Sequence, residues 1–328
     1  MPLWIVLVLA YLFEFANGWT DAPNSIATVV STRVLRPLTA VLMAAALNLV
    51  GALAGTAVAK TIASGIVNPD FVTLETIAAA LLAAFIWAVG AQYFGLPSSE
   101  SHALVAGLLG AGFAAGGLDA LEWSGTSKSL EGLVISPVGG FLTGFLLMVL
   151  IYRIFSRVRR SVVTRVFGRA QVFSAGFMAF SHGTNDAQKS MGIITLAILV
   201  AEGGSVPEEF EIPIWVIVSA AVVIAAGTMI GGWRVIRTMG MRLTHLEPVQ
   251  GFAAETGAAT VITTAAHFGI PVSTTHAIGT SIMGVGSTKR FSAVRWGVAD
   301  EVVTAWILTW PSCMVFGYVL GKVFNALF

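Results

Sequence analysis

Charge is scarce in this chain. Lys, Arg, Asp and Glu make up 11% of its 328 residues, against 56% hydrophobic residues and a mean hydropathy of +0.85. A soluble domain carries roughly 25% charged residues to cover its surface, so the shortage excludes one and points to a polytopic helical membrane protein. The 18 basic and 17 acidic residues nearly cancel to a net +1. No polyanionic or strongly acidic partner, nucleic acid included, follows from that balance. Cysteine is almost absent: Cys313 stands alone in an apolar stretch, which excludes an intrachain disulfide. The first apolar run has no basic n-region and leads into a polar stretch, so it reads as part of the mature protein rather than a cleaved signal.

What the chain does have is long apolar runs. A span needs about 20 apolar residues. Ten units meet that need: 3–32, 37–59, 72–94, 98–117, 132–152, 171–201, 212–233, 249–268, 270–288 and 298–325. Some are interrupted or hairpin-like, so the expected count is about 10–12 segments. Orientation follows from Lys and Arg in the short loops. The segment 153–169 holds six arginines and no acid, which places it in the cytoplasm. Alternation puts Arg33, Arg36, Arg234, Arg237, Arg242, Lys289, Arg290 and Arg295 on the same side. The acidic loop 202–211 and the loop carrying Asp119, Glu122 and Glu131 fall outside, as do both termini.

The sequence repeats itself. NGWTDAPNS (17–25) aligns with HGTNDAQKS (182–190), matching Gly18, Asp21, Ala22 and Ser25 to Gly183, Asp186, Ala187 and Ser190. GLPSSESHALVAGLLGAG (95–112) aligns with GIPVSTTHAIGTSIMGVG (269–286), matching Gly95, Pro97, Ser99, His102, Gly110 and Gly112 to Gly269, Pro271, Ser273, His276, Gly284 and Gly286. Gly51 and Gly55 fall on Gly227 and Gly231, and Pro137 falls on Pro311. Four landmarks in register are an internal duplication. The halves are 1–152 and 171–328, joined by a basic cytoplasmic linker, 153–170. Five apolar units precede the second copy, and an odd number inserts it upside down. The fold expected is therefore an all-α polytopic membrane protein of two inverted-topology repeats with broken or re-entrant helices. That architecture belongs to secondary transporters, with the substrate at the midplane.

Polar breaks at membrane depth are tolerated only inside protein or beside a water-filled cavity. Pro23 suits the first turn of a half-helix, with Thr20 or Asp21 as its cap. Ser98, Ser99 and Ser273, each shortly after a proline, read as further caps. Four helix starts meeting near the midplane would attract an anion. The hydroxyls of Ser98, Ser99, Ser101, Ser273, Thr274 and Thr275 would add donors, with Thr20, Asn24 and Asn185 beside them. Asp21 and Asp186 would repel that anion unless a cation binds too. A bound Na⁺ or a proton neutralises the carboxylate, and this couples the two ligands. The competing reading is an Asp that merely holds the break. Glu255 lies mid-span, where an ionisable group is functional by default. Asn48 competes with a role as interhelical glue; Asn17 and Glu14, near the first break, complete the cation candidates and their support. His102 and His276 follow the serines, but a hydrolytic Ser–His dyad needs one copy, not two.

These paired motifs resemble the inorganic phosphate transporter (PiT) family, whose signature is roughly Gly-x-Asn-Asp-x-x-Asn once per half. Here Thr20 replaces the first Asn of one copy and Lys189 the last Asn of the other. Lys189 would either touch phosphate or pair with an acid. The resemblance spans residues 11 to 328 and implies cation-driven symport of inorganic phosphate, with both Asp motifs and both Ser/Thr motifs forming the site. His182 and Glu255 also match polar positions of the family, and Ser25 and Ser190 are placed as supporting residues. Expected partners are phosphate, Na⁺ (or H⁺) and the lipid bilayer of the plasma membrane; a homodimer is left open. No cofactor and no enzymatic activity are expected. Sulfate permeation on the same scaffold and a channel or intramembrane enzyme are the alternatives. The orientation has a direct test: with Cys313 replaced, Arg160→Cys should react with a membrane-impermeant thiol reagent only from the cytoplasmic side. Labelling from outside reverses it.

Overall fold

Prolines and glycines punctuate the chain into helices. The computed structural model describes residues 1–203 and 210–328. The elements are α1 (Leu3–Ser31), α2 (Pro37–Ala52), α3 (Ala57–Gly65), α4 (Leu74–Phe94), α5 (Glu100–Gly116) and α6 (Trp123–Ile154), then α7 (Arg160–Ala201), α8 (Ile214–Ile230), α9 (Trp233–Arg237), α10 (Pro248–His267), α11 (Thr274–Ser287) and α12 (Trp296–Leu327). Among the described residues there is no β-strand. Pro37 and Pro248 open α2 and α10, where a missing N–H costs nothing. Gly95 and Gly269 turn the chain after α4 and α10 at φ +69° and +67°, a region that resists a Cβ. Each turn is held by a threonine from the opposite half. Thr238 Oγ1 donates to the Gly95 carbonyl at 2.9 Å, and Thr61 Oγ1 to the Gly269 carbonyl at 2.8 Å.

The expected units all appear as helices, but the breaks are elsewhere. Residues 17–25 lie inside α1, which runs unbroken from Leu3 to Ser31, and residues 182–190 lie inside α7, unbroken from Arg160 to Ala201. Thr20 and Asp21 therefore cap nothing. Thr20 Oγ1 instead donates to the Ala16 carbonyl one turn back, at 2.8 Å. Pro23 lies mid-helix with the outer side of its ring against Gly232. A Cβ there would stand 2.8 Å from Pro23 Cγ. The bends that do occur fall between α2 and α3 (71°) and between α8 and the segment from α9 to Arg242 (61°). So two helix starts, α5 and α11, face the polar middle, not four.

Among the described residues, five helices are long and apolar enough to cross a membrane: α1, α4, α5 with its following turn, α6 and α12. The number is seven if each bent pair counts as one span. Helix α11 is too short for that measure at 14 residues. Helices α7 and α10 carry the polar side chains. The middle of α7, Ser181 to Ala197, is buried on every face, as α1 is from Thr20 to Val29. The chain buries its most polar helices most deeply, the reverse of a soluble amphipathic pattern. Six residues of the acidic loop, 204–209, lie outside the described residues.

Packing is exchanged between the halves. Helix α1 packs on α8 as α7 packs on α2; α5 packs on α12 as α11 packs on α6. Glycines mark the closest approaches. A Cβ on Gly18 would stand 2.3 Å from the Ile224 carbonyl oxygen, and one on Gly183 2.2 Å from that of Asn48. Gly51 meets Phe180 and Gly227 meets Phe15 in the same manner, at 2.1 and 2.2 Å. Backbone-to-backbone contact of this kind is how membrane helices gain van der Waals energy without a hydrophobic driving force. Gly183→Ala should cost about 1–3 kcal/mol by overpacking, read as a lower midpoint of thermal unfolding. Gly90→Ala, with nothing within 4 Å of its Cβ, should leave the midpoint unchanged or higher.

Candidate functional site

The site is built from four helices. The middles of α1 and α7 supply the Asp motifs, and the N-termini of α5 and α11 supply the Ser/Thr motifs. Ser99 and Ser273 cap their helices, accepting from the backbone N–H of His102 at 3.3 Å and of His276 at 3.1 Å. Ser98 does not cap. Its hydroxyl donates to Glu100 Oε1 at 3.2 Å.

The two signature carboxylates meet at one imidazole. His182 Nε2 lies 3.0 Å from Asp186 and 4.0 Å from Asp21. One ligand atom from each of Asp21, His182 and Asp186 lies within 4.8 Å of the others, and all three residues are buried. Lys189, fully buried three residues after Asp186, donates to its Oδ1 at 2.6 Å. Of the two roles open to Lys189, pairing with an acid is the one the geometry takes. Asn185 donates to Asp186 at 2.6 Å and to the Val272 carbonyl at 2.9 Å. From α11, Thr274 Oγ1 donates to Asp186 at 3.1 Å and Thr275 Oγ1 to Asp21 at 3.0 Å. Asn24 donates to both of these threonines, at 3.1 and 2.9 Å. Ser101 points elsewhere, to the Val272 carbonyl at 3.0 Å.

Other expected members stand apart. Asn48 bonds Thr228 at 2.8 Å and faces His182 Nδ1 at 3.1 Å, so it orients the imidazole rather than joining the carboxylates. Glu14 accepts from Ser190 and, at 3.4 Å, from Asn17, one turn before the cluster. The buried Ser25 hydroxyl has no protein partner. Glu255 occupies a separate pocket. It accepts from Gln171 at 3.1 Å and from Thr28 and Ser174 at closer range.

Four residues were missed. Glu100 sits at the start of α5, buried, accepting from Thr20 at 2.9 Å as well as from Ser98. It brings a third carboxylate beside the pair. The repeat alignment held the signal: Glu100 falls on Thr274, so the first copy carries an acid where the second carries a hydroxyl. Thr28, Gln171 and Ser174, which surround Glu255, come from two other helices, and no spacing connects them to it.

Fold and site together define a multi-pass helical membrane protein with a charged, hydroxyl-rich centre between two helix N-termini. The chain belongs to the phosphate transporter family, whose model matches residues 17–164 and 156–317. It is 46% identical over 313 residues to a probable low-affinity inorganic phosphate transporter of Rhizobium meliloti, covering 95% of this chain and 93% of the relative. It is 40% identical over 328 residues to a protein of the same description from Bacillus subtilis, covering 99% and 97%. Among solved structures it is similar to one described as the sodium-dependent phosphate transporter, with a TM-score of 0.91, 26% identity and 99% of each chain covered. The family and these relatives are transporters, not enzymes.

The Lys189–Asp186 pair invites a stability test. Breaking a buried ion pair by removing one partner costs about 3–5 kcal/mol, because the other charge is left without compensation. Lys189→Met should therefore lower the unfolding midpoint sharply. Asp186→Asn combined with Lys189→Met should recover most of the loss, since the carboxylate that Lys189 neutralised is gone with it.

Proposed function

We propose that this protein carries inorganic phosphate across the plasma membrane in symport with a cation, Na⁺ ahead of H⁺. The family membership and the descriptions of its relatives support phosphate as substrate. The similarity to a sodium-dependent transporter supports Na⁺, as does a centre rich in oxygen ligands. One observation carries the mechanism: Thr274 and Thr275 donate to the two signature carboxylates while standing at a helix N-terminus beside Asn24.

In this reading Asp21 and Asp186 hold the cation, and the α5 and α11 N-termini face the anion. Without a cation, the carboxylates claim the threonine hydroxyls and repel phosphate. Lys189 already offsets one of the two carboxylates, so a single cation beside them cancels the remaining charge and frees those hydroxyls to donate to phosphate. Asn24, Ser98 and Ser99 stand within the same region, and both helix dipoles favour a negative ligand. Glu255 with Thr28, Gln171 and Ser174 forms a further oxygen-lined place for a cation. A hydrogen phosphate ion also brings a proton that a site carboxylate such as Glu100 or Asp21 accepts, whereas sulfate has none to give. The exchanged packing of the halves supports their reading as inverted repeats; the six arginines of 153–169 support a cytoplasmic start of α7, with both termini outside.

Coupling of this kind is reciprocal, so each ligand raises the other's affinity by one factor. Saturating Na⁺ should tighten phosphate binding roughly 5–150-fold, the usual range of coupling. Thr275→Val should weaken phosphate at any Na⁺ concentration, while Asp21→Asn should abolish the Na⁺ dependence. Isothermal titration of phosphate with and without Na⁺ at fixed pH, in each variant, reads both. Phosphate affinity indifferent to Na⁺ and to pH alike rules out charge neutralisation as the basis of coupling.

A further inference from the structure

Away from the centre, the junction of the two halves encloses a cavity of about 370 Å³ where α6 ends and α7 begins. Its walls are apolar: Ile151, Phe155, Val163 and Val249. Its rim is cationic and hydroxylated, with Arg160, Lys289, Ser156 and Thr164. Arg160 and Lys289 share a single acid, Glu247, at 2.6 and 3.4 Å. One carboxylate against two cations leaves a positive excess. Arg153, Arg157 and Arg159 on the adjoining turn add to it, with no acid between 153 and 169 to offset them. The side chains of Arg160 and Lys289 are 81% and 43% exposed, so they are open to a ligand from outside.

A second feature leads to this mouth. Val134, Val138, Leu142, Leu146, Leu150 and Ile154 recur every fourth residue along α6, and all are exposed. The stripe ends at Ile154, next to Phe155 on the cavity wall. An apolar stripe of this length on a membrane helix faces acyl chains, and it delivers them to a cationic rim with an apolar pocket behind it. A free phosphate ion would use the rim but has no need of the apolar walls.

We infer that this cavity is a binding site for an anionic phospholipid. The phosphodiester sits between Arg160 and Lys289, with the Thr164 hydroxyl as a donor, and an acyl chain follows the α6 stripe. Basic residues at the membrane surface attract anionic lipid by an amount that adds per residue. Because α7 begins at this rim and carries Asp186 and Lys189 further along, the lipid would seat the helix that bears half of the central site.

The test uses the full chain in nanodiscs of phosphatidylcholine, with and without phosphatidylglycerol, followed by native mass spectrometry of the lipids retained. The wild type should keep phosphatidylglycerol in preference to phosphatidylcholine, and its unfolding midpoint should rise with the anionic lipid. Arg160→Gln with Lys289→Gln should lower that preference roughly 30-fold, about fivefold per cation. Arg237→Gln, an exposed cation of another helix, should cost no more than the general effect of one surface charge, about fivefold. Glu247→Gln should increase it, because the competing carboxylate is gone while its amide oxygen still accepts at the start of α10. That rise is one a merely structural ion triad would not produce. An unchanged midpoint in phosphatidylcholine alone shows that the variants are folded. Equal retention of both lipids by the wild type, or a preference untouched by the double substitution, overturns the proposal. So does displacement of the lipid by inorganic phosphate, which would make the rim an anteroom for the free ion.

Discussion

Two carboxylates and one imidazole at the middle of a low-dielectric bundle set the terms for everything around them. Asp21 and Asp186 lie close enough to His182 to share it, and neither can stay ionised there without partners. The partners arrive from every side: Lys189 and Asn185 from the same helix, Thr274 and Thr275 from the tip of α11. Those contacts dictate that α1, α7 and α11 pack side by side. The glycines of α1 and α7 then allow the neighbouring backbones to close in until carbonyl oxygens occupy the space of missing side chains. The fold can be seen as the shell that a buried charge cluster requires.

Much of this was legible in the sequence. The duplicated motifs converge, and Ser99 and Ser273 do cap helices aimed at the centre, although Ser98 does not. What failed was the inference from Gly18 and Pro23 to a broken helix. A proline interrupts a helix through a lost hydrogen bond and a steric clash. The helix nonetheless runs through Pro23, and the outer side of the ring finds room against Gly232, 209 residues away, which lacks a Cβ. Local sequence cannot report such a partner. Glu100 escaped for another reason. Aligning two copies draws the eye to matches, and Glu100 sits at a mismatch, opposite Thr274. Here the mismatch places a carboxylate at one helix tip and a hydroxyl at the other.

The N-termini of α5 and α11 show that division. Both are capped by serine, both follow a left-handed glycine, and both turns are held by a threonine of the other half. Yet one carries a carboxylate that collects hydroxyls from Thr20 and Ser98, while the other carries hydroxyls that serve carboxylates. One tip is an acceptor and the other a donor.

The pocket around Glu255 has an apolar twin. The positions equivalent to Glu255, Thr28, Ser174 and Gln171 in the other half are Leu81, Ile193, Leu9 and Val6, all part of one hydrophobic cluster or packed against it. The two flanks therefore place their buried acid differently: one sets Glu255 among Thr28, Gln171 and Ser174, while the other is dry at Leu81 and carries its acid at Glu14, held by Ser190 and Asn17.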